Sequence, residues 1–354
     1  MDPELPREVA ECFARTIAEQ EQLTAMGIRV NYVRPFLLDG RRIWALGNTL
    51  FYNRRENETF HDFIVDTLRL TLGEGWWEEQ SAAPNRHFLR QCFDAYHAFI
   101  TRSAVGANQL PDGTFSAQPD ERTLYLMAVA WDICSLIHAR NLPEPLLNRL
   151  RHRDQFQGAR YEIGIAAVFA RLAFDVNFLD ESAERGVRHC EFFATERSTG
   201  LTVAVEAKSR HRQGVIDQPG TIDPASLRTD VGHLLRQALQ QSPGDRPFLV
   251  FVDLNMPVTG DRRVIEHGWF ADLNRMLRRL PRPTPESPTV ATALYFTNFS
   301  YHYEGSVGRQ NEFSEHFSVL PRHGITDPTL LGSLRNALRY YGSVPNFDVD
   351  GVAW

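Results

Sequence analysis

Residues 187–208, VRHCEFFATERSTGLTVAVEAK, have the pattern of two β-strands joined by a short turn. Val187–Thr195 and Leu201–Lys208 are rich in β-branched and aromatic residues, and the link between them contains Ser, Thr and Gly. A turn centred on this Ser-Thr pair, with either two or four loop residues, predicts a hairpin in which Glu191 lies opposite Glu206. We therefore expect two carboxylates that face each other about 5 Å apart at Cβ.

Lys208 follows Glu206 by two positions on the second strand, so both side chains project from the same face of the sheet. Val203, Val205 and Ala207 then face the core on the opposite side. Lys208 is also the single lysine among 38 Lys and Arg residues. In a chain that otherwise uses arginine, a retained lysine indicates a position where a compact ammonium is needed.

Two carboxylates at this spacing repel each other unless a cation or a proton lies between them. Mg²⁺ is a suitable cation, because it binds one or two protein carboxylates and completes its octahedron with water and substrate phosphate. An adjacent lysine could hold or deprotonate an attacking water and offset charge that develops on the phosphate. Arginine is a poor replacement because it does not release its proton.

The order of these elements resembles the PD-(D/E)xK nuclease superfamily, which has the restriction-endonuclease-like fold. The matching features are a helix that carries Glu162, a strand that carries Glu191, and the E-A-K sequence that ends the next strand. The resemblance covers roughly residues 146–297. It departs from the family at Glu191, where the family usually has Asp.

This resemblance implies a role for each matching residue. It implies metal ligation by Glu191, Glu206, the carbonyl of Ala207 and, directly or through water, Glu162. It also implies that Lys208 activates or orients water. Gln237 matches a glutamine that later helices of the family often carry near the site.

Simpler structural roles remain open for the same residues. Glu206 and Lys208 could form a surface ion pair. Glu162 could be a solvated helix residue or a partner of Arg160. A surface location would also explain Gln237 together with His233, four residues before it, and the nearby residues His189 and His211.

Two basic groups are candidates for contact with phosphates. The segment Lys208–Arg212 runs directly out of the proposed site. The second group lies near a predicted helix end and comprises Arg275, Arg278, Arg279 and Arg282. Favourable charge at a helix end is an alternative explanation for the second group.

The composition is that of a globular protein. The chain has 354 residues, 43% apolar and 23% charged, which excludes disordered and fibrous classes and is enough for two domains. Because it lacks an apolar run of membrane-spanning length and an N-terminal signal pattern, we expect a cytoplasmic protein without a membrane partner. Its four cysteines are scattered, a pattern that favours buried thiols over a zinc site or disulfide framework.

The net charge of −6 belongs to the first part of the chain, since residues 1–145 carry 20 of the 44 acidic residues and 14 of the 38 basic residues. Residues 146–354 are therefore free to form local basic surfaces.

The hydrophobic pattern changes near Asn141–Pro145, where two prolines end a long helical segment. Residues 1–145 are predicted to form a mainly helical N-terminal domain, with two strands joined at Asp39-Gly40. Residues 146–354 alternate between helix and strand, which predicts an α/β domain with a C-terminal extension. We expect its central mixed sheet to be restriction-endonuclease-like and flanked by helices.

The functional hypothesis is metal-dependent hydrolysis of phosphodiester bonds in nucleic acid, with DNA as the expected substrate by analogy and host defence or restriction as the expected setting. Mg²⁺ is the expected metal, with Mn²⁺ as a substitute, and homo-oligomers are left open. The first alternative is an inactive nuclease-fold module that binds nucleic acid or serves assembly. The second is an unrelated α/β hydrolase or transferase that uses Glu162 as a general acid/base.

Overall fold

The computed structural model describes residues 7–30, 36–38, 41–46, 49–52, 58–104, 115–179, 189–216, 228, 230–257, 264–266, 268–300, 302–303 and 311–345. Within them the chain forms ten α-helices and nine β-strands. None of these helices is long and apolar enough to cross a membrane.

The first part is mainly helical, as predicted. Its helices are α1 (Arg7–Ala25), α2 (Phe60–Leu72), α3 (Glu74–Ala82), α4 (Phe88–Ser103) and α5 (Glu121–His138). A small antiparallel sheet accompanies them and comprises β1 (Phe36–Leu38), β2 (Arg41–Leu46) and β3 (Thr49–Tyr52). The third strand was not predicted, and the expected Asp39-Gly40 turn lies outside the described residues.

The second part alternates helix and strand. Its elements are α6 (Glu144–Arg151), α7 (Arg153–Arg171), β4 (Phe174–Phe178), β5 (Phe192–Glu196), β6 (Thr202–Ser209), α8 (Gly232–Leu239), β7 (Phe248–Asp253), α9 (Gly268–Leu277), β8 (Ala293–Asn298), β9 (Glu312–Phe317) and α10 (Pro328–Arg339). A short 3₁₀ helix, Val264–Glu266, precedes α9.

Six of these strands form one mixed sheet in the order β4-β5-β6-β7-β8-β9. β6, β7 and β8 run parallel, and the outer pairings are antiparallel. All six residues of β7 are buried, which is typical of a central strand with helices on both faces. The predicted α/β class and the central mixed sheet flanked by helices are confirmed.

Alternate residues of β6 pack on opposite sides of the sheet. Val203, Val205 and Ala207 share a buried apolar cluster with α7. Ala204 lies in a second cluster that includes Leu235 of α8 and residues of α9. Both faces of this strand are therefore covered, and the even-numbered face, which carries the two charged residues, is not an open surface.

The change of hydrophobic pattern near residue 145 does not divide the buried core into two. Trp131 of α5 and Phe169 of α7 belong to the same buried cluster, which extends from Leu23 to Tyr341. Arg171 Nη1 also donates to Asp132 Oδ1 at 2.8 Å, which ties α7 to α5 by a buried ion pair. The helical part thus packs directly against the α/β part.

Candidate active site

The hairpin of β5 and β6 has the predicted register. Phe192 pairs with Val205, and Thr195 pairs with Thr202. Glu191 directly precedes β5, and its backbone N–H donates to the carbonyl of Val205 at 3.1 Å. The predicted register is thus confirmed from Phe192 onward, whereas the backbone N–H of Glu191 bonds to Val205 and not to Glu206.

Lys208 bridges the two carboxylates. Its Nζ lies 2.6 Å from Glu191 Oε1 and 2.7 Å from Glu206 Oε1. The Glu206 side chain is 1% exposed, whereas that of Lys208 is 28% exposed. The alternative of a surface ion pair between Glu206 and Lys208 is wrong for Glu206, because its side chain is buried.

The burial of these charges changes their proton affinities. Burial, followed by repulsion from Glu191, raises the pKa of Glu206 to about 8, although Lys208 acts in the opposite direction. Burial alone would lower the pKa of Lys208, but attraction to Glu191 and Glu206 outweighs it and raises that pKa. Lys208 is therefore held as an ammonium ion, an arrangement that suits orienting water and offsetting negative charge and does not suit taking a proton.

One carboxylate oxygen of Glu206 makes no hydrogen bond in the described structure. Glu206 Oε2 is buried without a hydrogen-bond partner. A buried polar atom in this state is unfavourable unless a cation or water completes its environment. The atom belongs to the carboxylate that the sequence assigned to a metal.

Glu162 lies close to this cluster but is held by a residue that the sequence did not suggest. Arg149 of α6 donates from Nη1 to Glu162 Oε2 at 2.7 Å and from Nη2 to Glu162 Oε1 at 2.6 Å. Burial, followed by the charge of Glu191, raises the pKa of Glu162 to about 7, while Arg149 opposes the shift. The expected partner of Glu162, Arg160, instead pairs with Asp253 at 3.2 Å.

The donor set fits a metal held by two carboxylates. In the described parts of the chain, no group of three or more His, Cys, Asp and Glu side chains is arranged to hold a metal ion. Glu191 and Glu206 both contact Lys208, Oε2 of Glu206 has no hydrogen-bond partner, and two carboxylates are enough for Mg²⁺. Ala207 lies buried between Glu206 and Lys208 in β6. Both oxygens of Glu162 are bound by Arg149, so in this arrangement it is not free to act as a third ligand.

The strand that carries Lys208 ends in a rigid polar network. Asp253, the last residue of β7, is fully buried beside the equally buried guanidinium of Arg160. Ser209, which follows Lys208, donates to Asp253 Oδ2 at 3.4 Å. Side chains anchored in this way hold a strand end in one position, which favours a precise site.

Other candidate residues lie apart from this cluster. Gln237 and His233 are exposed on α8, whose buried residues are Leu235 and Ala238. Nδ1 of His189 lies 3.2 Å from the carbonyl oxygen of Cys190. The surface explanation thus holds for Gln237 and His233, and Gln237 shows no contact with the carboxylates among the described residues.

The basic segment after Lys208 is partly neutralised. Arg210 Nη2 lies 2.6 Å from Asp230 Oδ2, and Arg212 Nε donates to the carbonyl of Leu254 at 3.0 Å. In the second basic group, Arg275 pairs with Asp272 at 2.8 Å. The remaining arginines of that group, Arg278, Arg279 and Arg282, are exposed.

Comparison with known proteins adds no assignment. No protein-family model, no curated protein and no solved structure matches the chain. The function must therefore be argued from the site.

Proposed function

We propose that this chain is a metal-dependent nuclease that hydrolyses phosphodiester bonds in DNA, with a restriction-endonuclease-like core. The observation that carries the proposal is the contact of the only lysine of the chain with two carboxylates, the partly buried Glu191 and the buried Glu206, whose Oε2 has no hydrogen-bond partner. A buried carboxylate such as Glu206, whose pKa is raised by burial and by a second carboxylate, is typical of functional sites.

In this proposal Glu191 and Glu206 hold Mg²⁺, with Mn²⁺ as a substitute. The metal, when bound, polarises the phosphate and supplies a metal-activated nucleophile. The Lys208 side chain is partly exposed, so its ammonium can orient water and offset negative charge on the phosphate. Because Glu206 is fixed in a central part of the sheet, the pair presents its oxygens in one orientation.

The proposed substrate enters from the side where Lys208 is exposed. Segment 208–212 continues from the site and carries Arg210 and Arg212. Arg210 is intermediate in exposure, and its partner Asp230 is about half exposed, so a phosphate could compete for the guanidinium. DNA is chosen over RNA by analogy with the nuclease superfamily, and host defence or restriction is the setting proposed on the same ground.

The test is cleavage of supercoiled plasmid, linear duplex and single-stranded DNA with Mg²⁺. Lys208→Ala and Glu206→Gln should each lower the cleavage rate at least about 100-fold, because the first removes the ammonium that offsets charge on the phosphate and the second removes a carboxylate that holds the metal. The matched control is Glu196→Gln, which neutralises another buried carboxylate at the opposite end of the same hairpin, where Glu196 pairs with Arg29 at 3.2 Å. Cleavage that survives both site substitutions would refute the proposal.

A second function is favoured by one observation. The Lys208 ammonium already contacts both carboxylates, and no three-ligand group is present in the described residues. This arrangement would also suit a nuclease-fold module that binds nucleic acid without cleaving it. Folded protein that binds duplex DNA, ignores Mn²⁺ and cleaves no substrate would select this second function.

A further inference from the structure

Arg149 is the partly exposed partner of the buried Glu162. It binds both oxygens of Glu162, at 2.6 Å and 2.7 Å. The Arg149 side chain is 33% exposed, whereas that of Glu162 is 7% exposed. A ligand from solvent can therefore reach the guanidinium while the carboxylate stays inside.

Glu162 lies within electrostatic reach of the proposed metal site, since the charges of both Glu191 and Lys208 act on its pKa. As long as Arg149 holds both of its oxygens, Glu162 is unavailable to a metal. The contact with Arg149 thus keeps the Glu162 carboxylate from joining those of Glu191 and Glu206.

Gly158 of α7 allows other side chains to approach the helix closely beside the Arg149–Glu162 pair. A Cβ atom built at Gly158 would lie 3.3 Å from His211 Nε2, 3.8 Å from Arg149 Nη2 and 3.9 Å from Glu162 Oε1. Three polar side chains therefore converge on a position that carries no side chain of its own. His211 follows the strand of Lys208 by a few residues, so this position borders the proposed site.

A guanidinium binds carboxylates and phosphates with the same two-pronged geometry. We propose that Arg149, assisted by His211, exchanges Glu162 for a phosphate group of the nucleic acid, and that this exchange releases Glu162 toward the metal held by Glu191 and Glu206. The inference rests on the proposed function. Phosphate binding and metal binding are then positively linked, so the metal site is completed only when substrate is present.

The first test measures Mn²⁺ affinity by electron paramagnetic resonance of the free ion, without nucleic acid. Arg149→Gln should bind Mn²⁺ about tenfold more tightly than the wild type, because Glu162 is already released. Adding Glu162→Gln to this variant should remove the gain. The matched control is Arg197→Gln, which breaks an exposed pair with Asp175 beyond the other end of β5 and should leave the affinity unchanged.

The second test uses a short phosphorothioate oligonucleotide that resists cleavage. Its binding in EDTA should weaken about tenfold in Arg149→Gln, and its ability to tighten Mn²⁺ binding should be smaller in that variant than in the wild type. Arg149→Lys, which keeps the charge but not the two-pronged geometry, should show the same changes to a lesser degree and provides a second variant if the first does not fold.

The outcomes separate the two proposals. Unchanged Mn²⁺ and oligonucleotide affinities in folded Arg149 variants would overturn the exchange and leave Arg149 a structural partner of Glu162. A protein that shows the linkage but cleaves nothing would support the exchange and refute the nuclease.

Discussion

Glu206→Gln should stabilise the metal-free protein at alkaline pH while it abolishes cleavage. The substitution keeps the shape of the side chain and replaces a buried carboxylate by a neutral group. In the wild type, burial and the charge of Glu191 raise the pKa of Glu206 from 4.5 to about 8. Ionised Glu206 is therefore unfavourable in the folded state.

The sign and size follow from proton linkage. Between pH 4.5 and about 8, folded Glu206 holds a proton that the unfolded chain releases. The free energy of unfolding of the wild type therefore falls as pH rises through this window, by about 1.4 kcal/mol per pH unit and by at most about 5 kcal/mol in total. Below pH 4.5 and above pH 8 this group contributes no slope. In Glu206→Gln the contribution is absent at every pH.

The assay is urea unfolding of both proteins in EDTA at intervals from pH 4.5 to 9. The variant should gain roughly 2–5 kcal/mol relative to the wild type between the two ends of the series. Mn²⁺ at alkaline pH should stabilise the wild type and not the variant, because only the wild type offers the second carboxylate. Parallel pH curves for the two proteins, or a variant that is less stable at pH 8.5, would refute the reasoning.

Three further outcomes are expected. Lys208→Arg should keep the charge yet lower the cleavage rate about 100-fold, since a planar guanidinium cannot replace a compact ammonium between two carboxylates. Its circular dichroism spectrum should be unchanged, and a wild-type cleavage rate would contradict this expectation. Burial lowers the pKa of His87 from 6.5 to about 3. The contribution of this group to stability is therefore full above pH 6.5 and is lost as pH falls toward 3. In urea unfolding, the free energy of unfolding of His87→Phe should fall less steeply with decreasing pH than that of the wild type. In Gly164→Ala the new methyl group would collide with the Tyr341 hydroxyl, which should lower the free energy of unfolding by about 1–3 kcal/mol. Gly332→Ala is the matched control: nothing lies within 4 Å of the new Cβ, so the free energy of unfolding should rise by about 0.5–1 kcal/mol. Equal effects of the two substitutions in thermal unfolding would contradict the packing argument.

The sequence was sufficient to predict the hairpin, because its determinants are local. A Ser-Thr-Gly turn between two β-rich runs fixes the register from Phe192 to Thr202, and this register brings Glu191 to the end of the hairpin near Glu206. The placement of Lys208 follows from strand alternation. Strand β4 was missed because it follows α7 after only two residues, and β9 because its polar residues give it little apolar pattern.

The partner of Glu162 was beyond the reach of sequence reasoning. Arg149 and Glu162 lie on different helices, α6 and α7, and their contact depends on how those helices pack. The local candidate, Arg160, points instead to Asp253, which lies 93 residues away in the chain. The packing of the long helix α5 on α7 likewise depends on tertiary contacts that the sequence pattern does not show.

The composition of β6 gives the strongest argument that its charges serve a function. Ala204, Val205 and Ala207 show that this part of the strand favours small apolar residues, and a similar residue at position 206 would be buried without penalty. The chain instead buries a carboxylate whose pKa is raised to about 8 and leaves one of its oxygens without a partner. Locally unfavourable groups of this kind are typical of positions that chemistry requires. The same substitution should therefore separate the two contributions: if Glu206→Gln makes the protein more stable and inactive, the carboxylate is present for its reactivity and not for the fold.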